Sequence, residues 1–160
     1  MICAAHTLQL AIQDALSQDK QIGKVILDAR RVVRVLRTQT FLYMLRKQNL
    51  KKPIIDCQTR WGSTFDMLKR LLEFKSFCTE MELTRVNKFK NLSESHWDKI
   101  REIVSVLEPV QKCTIKLQYE QLTIVSFFSD WQECKLCTEK LGFAFARQIL
   151  NNTKKREKYY

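Results

Sequence analysis

Apolar residues recur at helical spacing along most of this chain, and that pattern sets the expected architecture. Leu8, Ile12, Ala15 and Leu16 fall on one side of a segment from about Ala4 to Ser17. Asp19 to Gly23 breaks it, and Ile22, Val25, Ile26, Ala29, Val32, Val33 and Leu36 then form a long apolar stripe with a period near 3.6, the signature of an amphipathic helix. Thr38 to Gln48 either continues that helix or forms a second piece carrying Phe41, Leu42 and Leu45. Lys51-Lys52-Pro53 closes the region, and the short run Ile54-Ile55 reads as the one strand of the chain. Ser63 and Asp66 approximate a capping box for a helix running to about Glu82, with Phe65, Leu68 and Leu72 on its apolar side.

A polar connection from Thr84 to Asn91 marks the expected domain boundary, giving regions 1–83 and 84–160. Beyond it Ser93 is an N-cap candidate, Leu92 and Trp97 are spaced as a hydrophobic staple, and Ile100, Val104 and Leu107 extend the stripe. Pro109 predicts a kink or interruption, because proline lacks the helix donor and clashes with the preceding turn. Thr123 caps the next helix, whose Ile124, Phe127, Phe128 and Trp131 read as core. Phe143 to Tyr160 is weakly helical, with a solvated basic end at Lys154-Lys155-Arg156.

Composition agrees with a mainly α chain, since 3 Gly and 2 Pro in 160 residues leave little material for strands and turns. No run approaches the length of a membrane span, and the first residues lack the basic start and apolar core of a signal peptide, so a site inside the cell and no membrane partner are expected. The six cysteines then read as reduced thiols. Cys134-x-x-Cys137 has the spacing of half a zinc site, but the other short-range pair is Cys3 with His6, so two thiols packing one helical turn apart is the simpler reading. No cofactor is expected.

The net charge of +11 is concentrated, because residues 1–52 hold ten Lys/Arg against three acids. Arg30, Arg34 and Arg37 line a face of the long helix away from its apolar stripe, which raises a nucleic acid or another polyanion as partner. Arg60 and Trp61 sit where the run Pro53-Ile54-Ile55-Asp56 passes into a helix. A guanidinium beside an indole at such a turn offers a charge for phosphate and a flat face for a base, although an indole between apolar runs also serves as a core anchor.

The segment Asp56-Cys57-Gln58-Thr59-Arg60-Trp61-Gly62-Ser63-Thr64, followed by Met67-Leu68-Lys69-Arg70-Leu71, resembles the stretch after the fifth strand of the catalytic core of hAT-superfamily DNA transposases. Cys3-Ala4-Ala5-His6 resembles the Cys-x-x-His that opens a helix upstream in that family, and Leu92 to Pro109 looks like the start of its helical insertion. The resemblance implies an incomplete RNase H-like α/β core piece with one isolated strand, followed by a helical insertion-domain bundle. It also implies a nuclear location. Three carboxylates bind two metal ions in those enzymes; they lie before the Cys-x-x-His helix and after the insertion, and none matches a residue here. Asp56 is not used for metal in the family motif. The expected protein is therefore non-catalytic, a truncated or domesticated transposase-derived DNA binder. By resemblance Trp61 stacks on an extruded base, with Cys3 and His6 positioning that region. The alternative is a helical protein-interaction module, or an inert relic, whose exposed helical faces meet a protein partner. An unpaired Ile54-Ile55 strand would also leave the first region less ordered than the second.

Overall fold

The computed structural model describes residues 4–118 and 123–157, and the described residues are helical without a strand. Eight α-helices follow in order: α1 (Ala4–Gln18), α2 (Lys20–Leu36), α3 (Gln39–Lys47), α4 (Trp61–Leu72), α5 (Lys75–Leu83), α6 (Glu94–Leu117), α7 (Ile124–Lys140) and α8 (Ala144–Glu157). A short 3-10 turn, Val86–Lys88, lies between α5 and α6. The expected α/β core piece is thus replaced by an all-helical one.

The chain divides into two compact units, one made of residues 1–20 with 102–160 and the other of residues 21–101. The linker expected at Thr84 to Asn91 falls inside the second of these.

In the unit formed by the two ends of the chain, α1 packs along α8, and α8 against α7. Ala11, Ile12 and Ala15 of α1 and Phe145, Ala146 and Ile149 of α8 are fully buried. Alanines on α1 let the helices approach closely. Asn152 fixes their register, its buried Nδ2 donating to the Ala11 carbonyl at 3.3 Å, while Arg156 reaches the Asp14 carboxylate at the edge. Thr123 caps α7 by accepting from the Ser126 amide at 3.1 Å, with Ser126 Oγ accepting in return from the Thr123 amide at 3.0 Å.

Pro109 does not interrupt α6, which runs continuously from Glu94 to Leu117. A mid-helix proline costs about 3 kcal/mol. The buried neighbours Ile103, Val106, Leu107 and Val110 each return about 1.5–3 kcal/mol only while that helix stays formed, so burial outweighs the lost bond.

The unit of residues 21–101 is built on the α2 stripe, whose seven expected apolar positions are all buried. Phe41 of α3 sits at its aromatic centre, edge-on to Phe77 at 6.5 Å and tilted against Phe89 at 5.4 Å. Thr38 separates α2 from α3, its hydroxyl donating to the Val35 carbonyl at 2.8 Å. The helix expected from Ser63 to Glu82 is broken at Glu73–Phe74 into α4 and α5, with Phe74 fully buried at the join.

The segment expected as a strand, Ile54-Ile55, is irregular backbone with Ile54 exposed. Two apolar residues supply too little burial to order a strand, and side chains take the role a sheet would have had. Arg37 Nη1 donates to the Pro53 carbonyl at 2.7 Å and Arg70 Nη1 to that of Lys52 at 3.3 Å. Backbone acceptors that a sheet would have satisfied are met by guanidinium groups.

Candidate nucleic-acid interface

The loop from Lys51 to Arg60 is held by a buried ion pair. Arg30 of α2 donates from Nε to Asp56 Oδ1 at 2.8 Å and from Nη2 to Oδ2 at 2.7 Å, a side-on geometry with both groups withdrawn from water. Thr64 of α4 adds a hydroxyl to Oδ2 at 2.8 Å. Burial alone would raise the Asp56 carboxyl above its ordinary range. The Arg30 and Thr64 hydrogen bonds, with the Arg30 charge and a backbone bond, outweigh that and hold it lower.

Ser63 pins the next stretch. It is not the cap of α4, which starts two residues earlier at Trp61 with Arg60 in the cap position and no side-chain cap. Its Oγ instead accepts from the Cys57 amide at 2.8 Å and lies 2.7 Å from the Arg60 carbonyl. A hydroxyl occupied by the loop cannot also close a capping box. Cys57 is exposed, and its thiol is lowered by contact with Thr59, Sγ to Oγ1 at 3.2 Å, with the Arg60 charge helping.

The residues singled out from the sequence thus take different places. Trp61 is 3 % exposed, so its indole presents no free face for a base. Arg60 beside it is exposed at the head of α4. Arg30 and Arg37 are consumed internally, by Asp56 and by the Pro53 carbonyl. Arg34 is exposed. His6 is exposed on α1 in the other unit, and Cys3 lies outside the described residues.

Lys24 and Arg31 were missed by sequence reasoning, although a helical projection contains them. With about 100° per residue, Arg30 and Arg37 fall at the flank of the buried stripe, whereas Lys24, Arg31 and Arg34 fall opposite it. All three are exposed and make no ion pair with a described residue. They span about 15 Å of helix, the rise of about four base pairs. Leu27, 61 % exposed, lies on the same face. Lys51 and Lys52 add two exposed cations to the same unit.

Among the described residues no cluster of His, Cys, Asp and Glu could hold a metal ion, and no helix is long and apolar enough to cross a membrane.

Residues 1–106 match the family model described as the ZBED1 RNase-like helical domain. The chain is 32 % identical over 98 residues to a protein of Talaromyces stipitatus named "Putative transcriptional regulator tpeD", covering 58 % of this chain and 11 % of that protein. It is 23 % identical over 129 residues to the human zinc finger BED domain-containing protein 4, covering 76 % of this chain and 11 % of that one. The chain spans about a tenth of the length of each of these relatives. No solved structure matches it.

Proposed function

The chain belongs to the ZBED1 RNase-like helical domain family, and from that premise we propose that it is a non-catalytic, DNA-binding helical module of a hAT-type, transposase-derived regulator acting in the nucleus. The observation that carries this reading is the exposed cation row Lys24, Arg31 and Arg34 on α2, in a unit where neighbouring arginines are already paired. A guanidinium satisfied within the fold has little left to give a phosphate; one facing water gains counterion release when it meets one. Arg60 and the Lys51-Lys52 pair extend the phosphate-facing surface in this reading. Trp61 acts through packing, setting where Arg60 stands. A regulator name on one relative supports the assignment to DNA and to the nucleus.

Contact confined to phosphates positions a protein without reading sequence, so the module supplies affinity and orientation and leaves base readout elsewhere. The test is fluorescence anisotropy with a labelled duplex across a salt series, comparing the native chain with Lys24→Ala/Arg31→Ala/Arg34→Ala. Binding that weakens steeply with salt, and is lost in the triple variant at moderate salt, supports the reading. Equal binding by both proteins rejects the row as the interface.

The second reading, a protein-docking module, is favoured by Val125, Phe128 and Leu136. They are 80 %, 58 % and 55 % exposed and share one face of α7. Docking through such a face is nearly indifferent to salt, so the same titration separates the two.

A further inference from the structure

Cys134 and Cys137 of α7 share a groove with a third thiol, Cys113 of α6. Cys134 and Cys113 are both buried and line it together. The Cys113 thiol donates to the Asp130 carbonyl at 3.8 Å, which sets its sulfur against α7 one turn before Cys134. Both open onto a groove of about 530 Å³ between α6 and α7, whose wall includes Pro109, Lys116 and Cys137. Neither cysteine is in a disulfide.

We propose that Cys113 and Cys134 are an oxidisable thiol pair whose substrate is a small hydroperoxide entering this groove, and whose product is a Cys113–Cys134 disulfide fastening α6 to α7. The roles of the two sulfurs differ. The Asp130 carbonyl holds the Cys113 proton, whereas Cys134 is lowered by Cys113 beside it, against the opposing effect of burial and with help from Thr138 and Lys135. Cys134 beside it, burial and the Asp130 charge push Cys113 up. Cys134 is therefore the attacking thiolate and Cys113 the resolving thiol.

In the first step the Cys134 sulfur attacks one peroxide oxygen. The S–O bond forms as the O–O bond breaks, and the departing hydroxide leaves as water after taking a proton, so that Cys134 becomes a sulfenic acid. Cys113 then attacks that sulfur, the S–S bond forms, the S–O bond breaks, and its hydroxide takes up the proton given by Cys113 as a second water. Two thiols lose two electrons in total, and hydrogen peroxide takes both.

Cys137 is exposed and closer in sequence, but it is the wrong resolving partner. Residues three apart on a helix hold their Cβ atoms about 5–6 Å apart, whereas a disulfide needs about 3.5–4.5 Å. Closing Cys134 onto Cys137 would require α7 to unwind.

The experiment treats the whole reduced chain with hydrogen peroxide and follows intact mass and peptide maps, with Cys113→Ser, Cys134→Ser and Cys137→Ser beside it. The native chain and Cys137→Ser should yield a Cys113–Cys134 cross-linked peptide two hydrogens lighter than the reduced pair. Cys113→Ser should stop at a sulfenic acid on Cys134, trapped by dimedone, and Cys134→Ser should leave Cys113 a free thiol. A cross-link joining Cys134 to Cys137, or Cys113 recovered as free thiol from the peroxide-treated native chain, would overturn the proposal. Circular dichroism of each reduced variant checks that the serine substitutions leave the helices in place.

Discussion

Arg30 holds Asp56 side-on across 26 residues of sequence, Nε to Oδ1 at 2.8 Å and Nη2 to Oδ2 at 2.7 Å, with the carboxylate side chain only 1 % exposed. The pair ties α2 to the loop that leads into α4. Removing one partner leaves the other charge buried and alone, which costs about 3–5 kcal/mol. Arg30→Ala should lower the unfolding free energy measured in urea by that order. Arg30→Met/Asp56→Leu should lose much less than the sum of its single variants, because no uncompensated charge remains. Additive losses in that cycle would mean that the two residues act separately.

Acid should act through the same group. The Asp56 carboxyl is held below its ordinary value of 3.8. A depressed folded-state value means that the stabilisation is fully present above the unfolded-state value and is lost as pH falls through the folded-state one. Stability contributed by Asp56 should therefore be flat above about pH 5 and fall below about pH 4. Chemical denaturation across this range should show that fall in the native chain, and Asp56→Asn should lack this component while being weaker at neutral pH.

Trp61 separates packing from stacking. Truncating a buried tryptophan costs about 3–5 kcal/mol, so Trp61→Ala should unfold at much lower urea. Trp61→Phe keeps most of the buried ring and should bind DNA as the native chain does. A large loss of affinity in a stably folded Trp61→Phe would return the indole to the interface.

Thiol chemistry should report the loop's exposure. Cys57 is exposed and its thiol is lowered by Thr59, whereas burial, helped by the Glu82 charge, pushes the Cys78 thiol up to about 12. Iodoacetamide at pH 7.5, roughly one unit below the ordinary thiol value, should modify Cys57 promptly and leave Cys78 intact until the protein is denatured. Peptide mapping over a time course checks the order, and early modification of Cys78 would contradict the burial of α5.

Much of this fold was legible in periodicity. The α2 stripe, the Thr123 cap and the positions of Trp97 and Ile100 follow from local spacing, and local spacing is what helices obey. Ile54-Ile55 shows where that reading ends. Its expectation as a strand came from the resemblance and from two apolar residues, and strand formation depends on a partner that local sequence does not supply. Asp56 stayed unassigned for a similar reason, since nothing local announces a salt bridge to a residue 26 positions away. Ser63 had the residue type of a cap, but its hydroxyl had a better use in Cys57. The basic character of α2 was visible; which cations remained free depended on Asp56 and the Pro53 carbonyl, neither of which a helical projection contains.

With Lys24, Arg31 and Arg34 as the phosphate-facing row, the salt dependence of duplex binding is set by these three side chains. Each phosphate contact contributes about 0.9 to the slope of log affinity against log salt. The triple alanine variant should therefore show a slope shallower by about 2.7 and much weaker binding at low salt, with unchanged helical content. An unchanged slope and affinity in a folded triple variant would show that DNA does not meet this row.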